Sequence, residues 1–251
     1  QLDTSFEPDT GLPISGTPAT LVISLAFVLV ALLTVLLSRM ARPKQPLGFS
    51  LAFHNETLFY LTPVWAAAGL TAAGGFLYLV EWSRLYEPPI LQLVFGLMAM
   101  VAAPCLLLIG LRNYKQGWAT EGSLVLLGPA FMSCVWIMFA YQGWARDPIV
   151  MDYVFDLFAI IFTLLAYYYV SSYAFGNPRE TPLCITGTLA VAFSLTVIPF
   201  CDRLADQLLF AGVILYLLPT LYTLCRNNGQ EHLFPNPNSP DPENPLKEES
   251  P

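Results

Sequence analysis

Residues 147–175 read DPIVMDYVFDLFAIIFTLLAYYYVSSYAF. From Val154 onward the only charged side chain is Asp156. An α-helix rises about 1.5 Å per residue, so about 20 apolar residues cross a hydrocarbon core about 30 Å thick. The stretch is therefore a membrane span that opens on two aspartates, Asp152 and Asp156. Either these acids begin a polar site, or they form the water-facing collar of the helix.

Reading outward from this stretch, apolar runs of spanning length recur. There are seven, at about 20–38, 57–80, 90–111, 122–144, 150–174, 183–201 and 205–225. The whole chain is 55% hydrophobic and 12% charged, about half the charge of an ordinary soluble domain. The alternating ten-residue segments of a membrane β-barrel are absent. The expected fold is all-α, a polytopic bundle of seven transmembrane helices.

Orientation follows from Lys and Arg, which are held back on the cytoplasmic side during insertion. The side that holds the loop after the first run carries Arg39, Arg42, Lys44, Arg112, Lys115, Arg179, Arg226 and Lys247. The other side carries Arg84, Arg146 and Arg203. This places the N-terminus outside and the C-terminus in the cytoplasm, with the plasma (cytoplasmic) membrane as the expected location. The acidic flank ahead of the first run and the basic RMARPK after it are the reverse of a secretory signal.

Three regions follow: an extracytoplasmic acidic segment over 1–18, a transmembrane domain over 19–226 and a Pro-rich cytoplasmic tail over 227–251. The tail is too polar to offset its chain entropy by burial, so disorder is expected, with a role in docking a protein partner as the alternative to mere solvation. The stretch PKQPLGFSLAFHNE, with apolar Leu47, Phe49, Leu51 and Phe53 alternating with small residues, reads as an interfacial segment on the inner leaflet. Gly69, Gly74 and Gly75 in the second run read as sites of close helix packing.

Asp152 and Asp156 are four residues apart and share one helix face. Thr163, Tyr167 and Ser171 continue that face at spacings of seven, four and four, so a polar stripe runs down the fifth span. Acids buried in lipid cost several kcal/mol and mark pathways or binding sites. In the same outer layer lie Glu81, Arg84, Glu87, Arg146, Asp147, Asp202, Arg203 and Asp206, giving seven acids against three arginines when the two aspartates are included. Such an excess concentrates cations. The candidate ligand-binding residues are Asp156, Asp152, Arg203, Asp206, Glu81, Thr163 and Tyr167, with Arg203 as the expected counter-charge of Asp156.

The function expected from these residues is binding or translocation of a small cationic solute through an outward acidic vestibule. The alternative is a non-transporting sensor or scaffold that docks protein partners. Enzyme signatures are absent: the chain has two histidines, His54 and His232, in a loop and a tail, and neither a phosphate loop nor GxSxG. No catalytic residue, no cofactor and no metal ligand set is assigned. The seventh run has no lysine, which excludes a retinal Schiff base there. Five cysteines without metal spacing read as packing residues. The partners expected are the lipid bilayer, a small cation and a protein for the tail. A net charge of −7 gives no footing for nucleic acid.

Overall fold

Long apolar runs in lipid must satisfy their backbone groups internally, and helices are the local solution. The computed structural model describes residues 18–40, 49–87, 89–114, 124–144 and 154–233, and it is all-helical, with no strand among them. The helices are α1 (Pro18–Met40), α2 (Phe49–Ala52), α3 (Leu58–Arg84), α4 (Ile90–Tyr114), α5 (Gly128–Trp144), α6 (Val154–Ala174), α7 (Glu180–Val197) and α8 (Leu204–Leu233). A 3-10 turn (Leu124–Leu127) leads into α5, and another (Ile198–Phe200) follows α7. Pro63, Pro104 and Pro219 lie inside α3, α4 and α8 without ending them.

Six of these helices, α3 to α8, are long and apolar enough to cross a membrane. The first expected run falls on α1, which contributes a shorter apolar stretch, Leu25–Leu36. The chain is thus a helical apolar bundle of the kind integral membrane proteins form. Large apolar side chains on its outer face, such as Leu97, Val101, Phe131 and Met138, are exposed. Lipid, not water, is the solvent that suits them.

The six long helices form a closed ring. Each packs on the next, α3 through α8, and α8 returns to α3. Small residues on α3 set this closure. A Cβ added at Gly75 would lie 2.8 Å from the Ala99 Cβ and 3.0 Å from the Gly96 carbonyl of α4. On its other flank, a Cβ at Gly74 would meet the Ala205 carbonyl of α8 at 3.1 Å, and one at Gly212 of α8 would meet the Ala67 carbonyl at 3.2 Å. Two glycine faces on one helix therefore bring two neighbours to near backbone contact. Gly69 departs from the expectation: a Cβ there meets nothing within 4 Å, so it serves no packing purpose.

Aromatic side chains fill the ring. Trp136 of α5 reaches Phe210 of α8 at 4.7 Å, and Tyr78 of α3 meets Phe139 of α5 edge-on at 5.3 Å. Phe95 of α4 stacks on both Trp136 and Phe139. Further along the axis Tyr167 of α6 lies 5.5 Å from Tyr216 of α8. Outside the ring, α1 rests on α7 through Phe27, stacked at 4.0 Å on Phe193.

Two sequence expectations change. The segment after α1 does not lie flat on a leaflet in its described part: Ala52 and Phe53 are 0% exposed and Asn55 is buried. Phe53 packs edge-on to Tyr173 of α6 and clusters with Leu183 of α7 and Leu224 of α8. Residues 49–55 therefore plug one end of the ring. The sequence could not distinguish this from an interfacial segment because both need alternate apolar side chains. Also, α8 continues to Leu233, past the expected tail boundary at 227; residues 234–251 lie outside the described residues, as do residues 1–17.

Replacing Gly75 by Val is expected to lower the stability of the bundle by about 1–3 kcal/mol, through overpacking against Ala99 and the α4 backbone. Gly69→Ala should leave it unchanged or raise it, since Ala favours the helix. Thermal unfolding of both variants in detergent checks this; equal losses would show that the α3–α4 contact is not the tight one.

Candidate functional site

The ends of the bundle differ in chemistry. At one end lie the C-terminal turns of α3 and α7 and the first turns of α6 and α8. Asp156 sits in the first turn of α6 and Asp206 in that of α8. Acids are electrostatically favoured at these positive helix ends, which explains how the chain tolerates them at the border of apolar segments.

Asp206 is the best-anchored acid of the cluster. The Tyr78 hydroxyl of α3 donates a hydrogen bond to its Oδ1. Tyr78 itself is buried, boxed by Phe95 and Phe139. Arg203 stands in the same neighbourhood, with Tyr78, Asp206 and Glu81 as the groups whose charge bears on it. Asp156 is half-buried, and the charge of Asp206 reaches it. Among the described residues no ion pair joins Asp156 to Arg203. Nearby, the Gln207 amide donates to the Cys201 carbonyl at 2.9 Å. Burial pushes the Cys201 thiol up to about 12, with Asp206, Asp156 and Asp202 adding their negative charge in that order. Three carboxyl groups from three segments therefore converge around one short connection.

The stripe on α6 faces inward as its spacing implies. Thr163 is 0% exposed, and Tyr167 and Ser171 are buried with it. Ser171 donates to the Leu126 carbonyl of the turn before α5 and to its own helix. Thr163 is different. Its hydroxyl has no partner, whereas the equally buried Thr71 and Thr220 donate to the carbonyl four residues back. Two more buried polar atoms in this half lack partners, Trp82 Nε1 and Ser194 Oγ. Leaving a buried polar atom unpaired costs about 1–3 kcal/mol, and Tyr173 Oη and Asn228 Oδ1 in the opposite half share the condition.

At the opposite end neutral amides make the buried polar contacts, while Glu56 is exposed and Glu180 sits in the first turn of α7. Asn113 donates to the Tyr60 hydroxyl at 2.7 Å, and its carbonyl contacts His54 Nδ1 at 3.2 Å. Asn55 donates to Thr223 at 3.0 Å, and Asn227 donates to the carbonyls of Ala52 and His54. These bonds seat the plug. Asn55-Glu56-Thr57 has the spacing of a glycosylation acceptor, but here the Asn55 amide is buried and bonded to Thr223.

Asp156, Asp206, Arg203, Glu81, Thr163 and Tyr167 are thus placed on the inner side or the acidic end of the ring; Asp152 lies outside the described residues. Sequence reasoning missed Tyr78, which looks like one aromatic among many in an apolar run. Among the described residues no group of three His, Cys, Asp or Glu is arranged to hold a metal.

Tyr78→Phe should destabilise the protein by about 1–3 kcal/mol, because a buried carboxyl loses its donor. In a double-mutant cycle with Asp206→Asn the two losses should be strongly non-additive. Additive losses in thermal or denaturant unfolding would show that the two groups act separately.

Neither a family model, nor a curated protein, nor a solved structure matches this chain.

Proposed function

We propose that the chain is a seven-span protein of the plasma membrane, N-terminus outside and C-terminus cytoplasmic, that binds and translocates a small cationic solute. The solute enters at the acidic end, where Asp156 and Asp206 supply charge, Glu81 extends the negative rim and Arg203 limits it. Asp152, four residues ahead of Asp156 in the sequence, is the further acid assigned to this path. Thr163 and Tyr167 continue the path along the α6 stripe. The observation that carries this reading is the Thr163 hydroxyl, fully buried and unpartnered on the helix whose first turn holds Asp156.

The seventh span in this reading is α1. At 23 residues it is long enough to cross, although its apolar stretch is shorter than those of α3 to α8. A ring closed at the amide end by residues 49–55 and charged at the other has the asymmetry of a carrier that is open to one side.

One observation favours the alternative, a non-transporting sensor or scaffold. The ring interior is filled by Trp136, Phe210, Tyr78 and Phe139. Transport requires these side chains to move apart; a scaffold requires nothing of them.

A thermal-shift screen of purified protein against inorganic and organic cations separates the two. A ligand at about 100 times its Kd stabilises by about 2.7 kcal/mol. Such a shift is expected for at least one cation, to be lost in Asp156→Asn and weakened in Thr163→Val, with both variants still folded. Equal shifts in wild type and Asp156→Asn would refute the site.

Orientation is checked independently. With the native cysteines replaced, a membrane-impermeant thiol reagent applied outside should label Glu87→Cys and leave Glu56→Cys unlabelled; both positions are exposed, at opposite ends of the ring. The reverse pattern would invert the assignment.

A further inference from the structure

The amide end holds a second group of reactive side chains that the solute path does not use. Cys184 on α7 and Cys225 on α8 lie beside the α7–α8 contact: Cys184 packs with Leu221 against the cluster that holds Leu183 and Leu224, and each thiol is the other's side-chain neighbour. Both cysteines are free, Cys184 half-buried and Cys225 exposed. Glu180 stands one turn before Cys184 on the same helix. Tyr173 of α6, 3% exposed with its hydroxyl unpartnered, belongs to the buried cluster against which Cys184 packs, together with Leu183 of α7 and Leu224 of α8. Three helices therefore meet beside the two cysteines.

The pairing has a backbone cause. A Cβ added at Gly187 would lie 2.9 Å from the Leu221 side chain, so α7 and α8 approach closely one turn from the two cysteines. A disulfide requires Cα atoms about 4.4–6.8 Å apart, a condition that packed helices meet only at facing positions. The Gly187–Leu221 approach, together with the Leu183–Leu224 cluster, brings the two helices together at the level of the cysteines.

We propose that Cys184 and Cys225 form a reversible intrachain disulfide when the protein meets a low-molecular-weight disulfide oxidant. The exposed Cys225 loses its proton to water, and the thiolate attacks one sulfur of the oxidant. The oxidant's S–S bond breaks, one small thiolate leaves and takes up a proton, and Cys225 carries the other half as a mixed disulfide. Cys184 then gives up its proton and attacks the Cys225 sulfur, expelling the second small thiol. Two protein thiols are oxidised and one small disulfide is reduced to two thiols, with no other reactant.

The bond acts on the plug. Leu183 and Leu224, the chain neighbours of the two cysteines, are the side chains against which Phe53 packs. Tying Cys184 to Cys225 therefore fixes the seat of residues 49–55, and reduction frees it. This holds whichever solute, if any, the ring carries.

The test uses the full chain in detergent or liposomes, treated with oxidised glutathione, then blocked with a maleimide, unfolded and mapped by peptide mass. Wild type should yield a single cross-linked peptide pair, Cys184 to Cys225, two hydrogens lighter than the free peptides and restored by excess dithiothreitol. The Cys105→Ala/Cys134→Ala/Cys201→Ala variant should yield the same pair. Cys184→Ser should stop at a glutathione adduct on Cys225, and Cys225→Ala should lose the cross-link as well. Hydrogen exchange over residues 49–57 should be slower in the oxidised than in the reduced protein. A wild type that carries only the adduct, or a bridge to another cysteine, would overturn the disulfide. Unchanged exchange over 49–57 with the bridge formed would overturn its action on the plug.

Discussion

Closure of the ring rests on how near α3 lets its neighbours come. Gly75 faces Gly96 and Ala99 on one flank, and Gly74 faces Ala205 and Leu209 on the other. In lipid there is no hydrophobic gain from bringing two apolar helices together, so contact depth and hydrogen bonding decide association. Bulkier residues at those positions would hold α8 away from α3. Tyr78 would then lose Asp206, and Thr71 would lose its contact with Gly212. The polar features of the interior therefore depend on an apolar, almost side-chain-free contact.

Charge and neutrality are divided between the two ends. The acidic end keeps its carboxyl groups by a donor hydroxyl, one guanidinium and the positive ends of α6 and α8. The other end uses Asn55, Asn113 and Asn227, whose amides both donate and accept and carry no desolvation penalty for net charge. Unpartnered buried atoms occur toward both ends, Trp82 Nε1 and Ser194 Oγ at one and Tyr173 Oη at the other, so the excess of carboxyl groups is what sets the acidic end apart.

Much of this was legible in the sequence, for a physical reason in each case. Span length is set by bilayer thickness, so α3 to α8 could be read directly from apolar runs. The inward turn of Thr163, Tyr167 and Ser171 follows from helical periodicity. The partner of Asp206 was not legible, because Tyr78 lies 128 residues away and nothing local marks it. The neighbourhood of Arg203 with Tyr78 was not legible for a related reason: sequence gives the end of the membrane at which a charge sits, not the side of its helix. The plug was misread because Phe49 and Phe53 show the same alternation whether they meet lipid or the inside of a ring. The count of seven rested on α1, whose apolar stretch Leu25–Leu36 is the shortest of the set.

The plug also says something about how the protein is made. Asn55 bonds to Thr223, 168 residues further along the chain, and Asn227 returns to Ala52 from 175 residues away. A ribosome delivers the segment 49–55 before all six helices of the ring that it plugs. Its buried Phe53 must therefore wait, without its final partners, until α8 has entered the bilayer. At about 5–20 residues per second that interval is roughly 10 to 35 seconds. The last event in assembly is thus the seating of one of the earliest pieces synthesised, and chains interrupted before α8 would leave an apolar hook exposed for quality control to recognise.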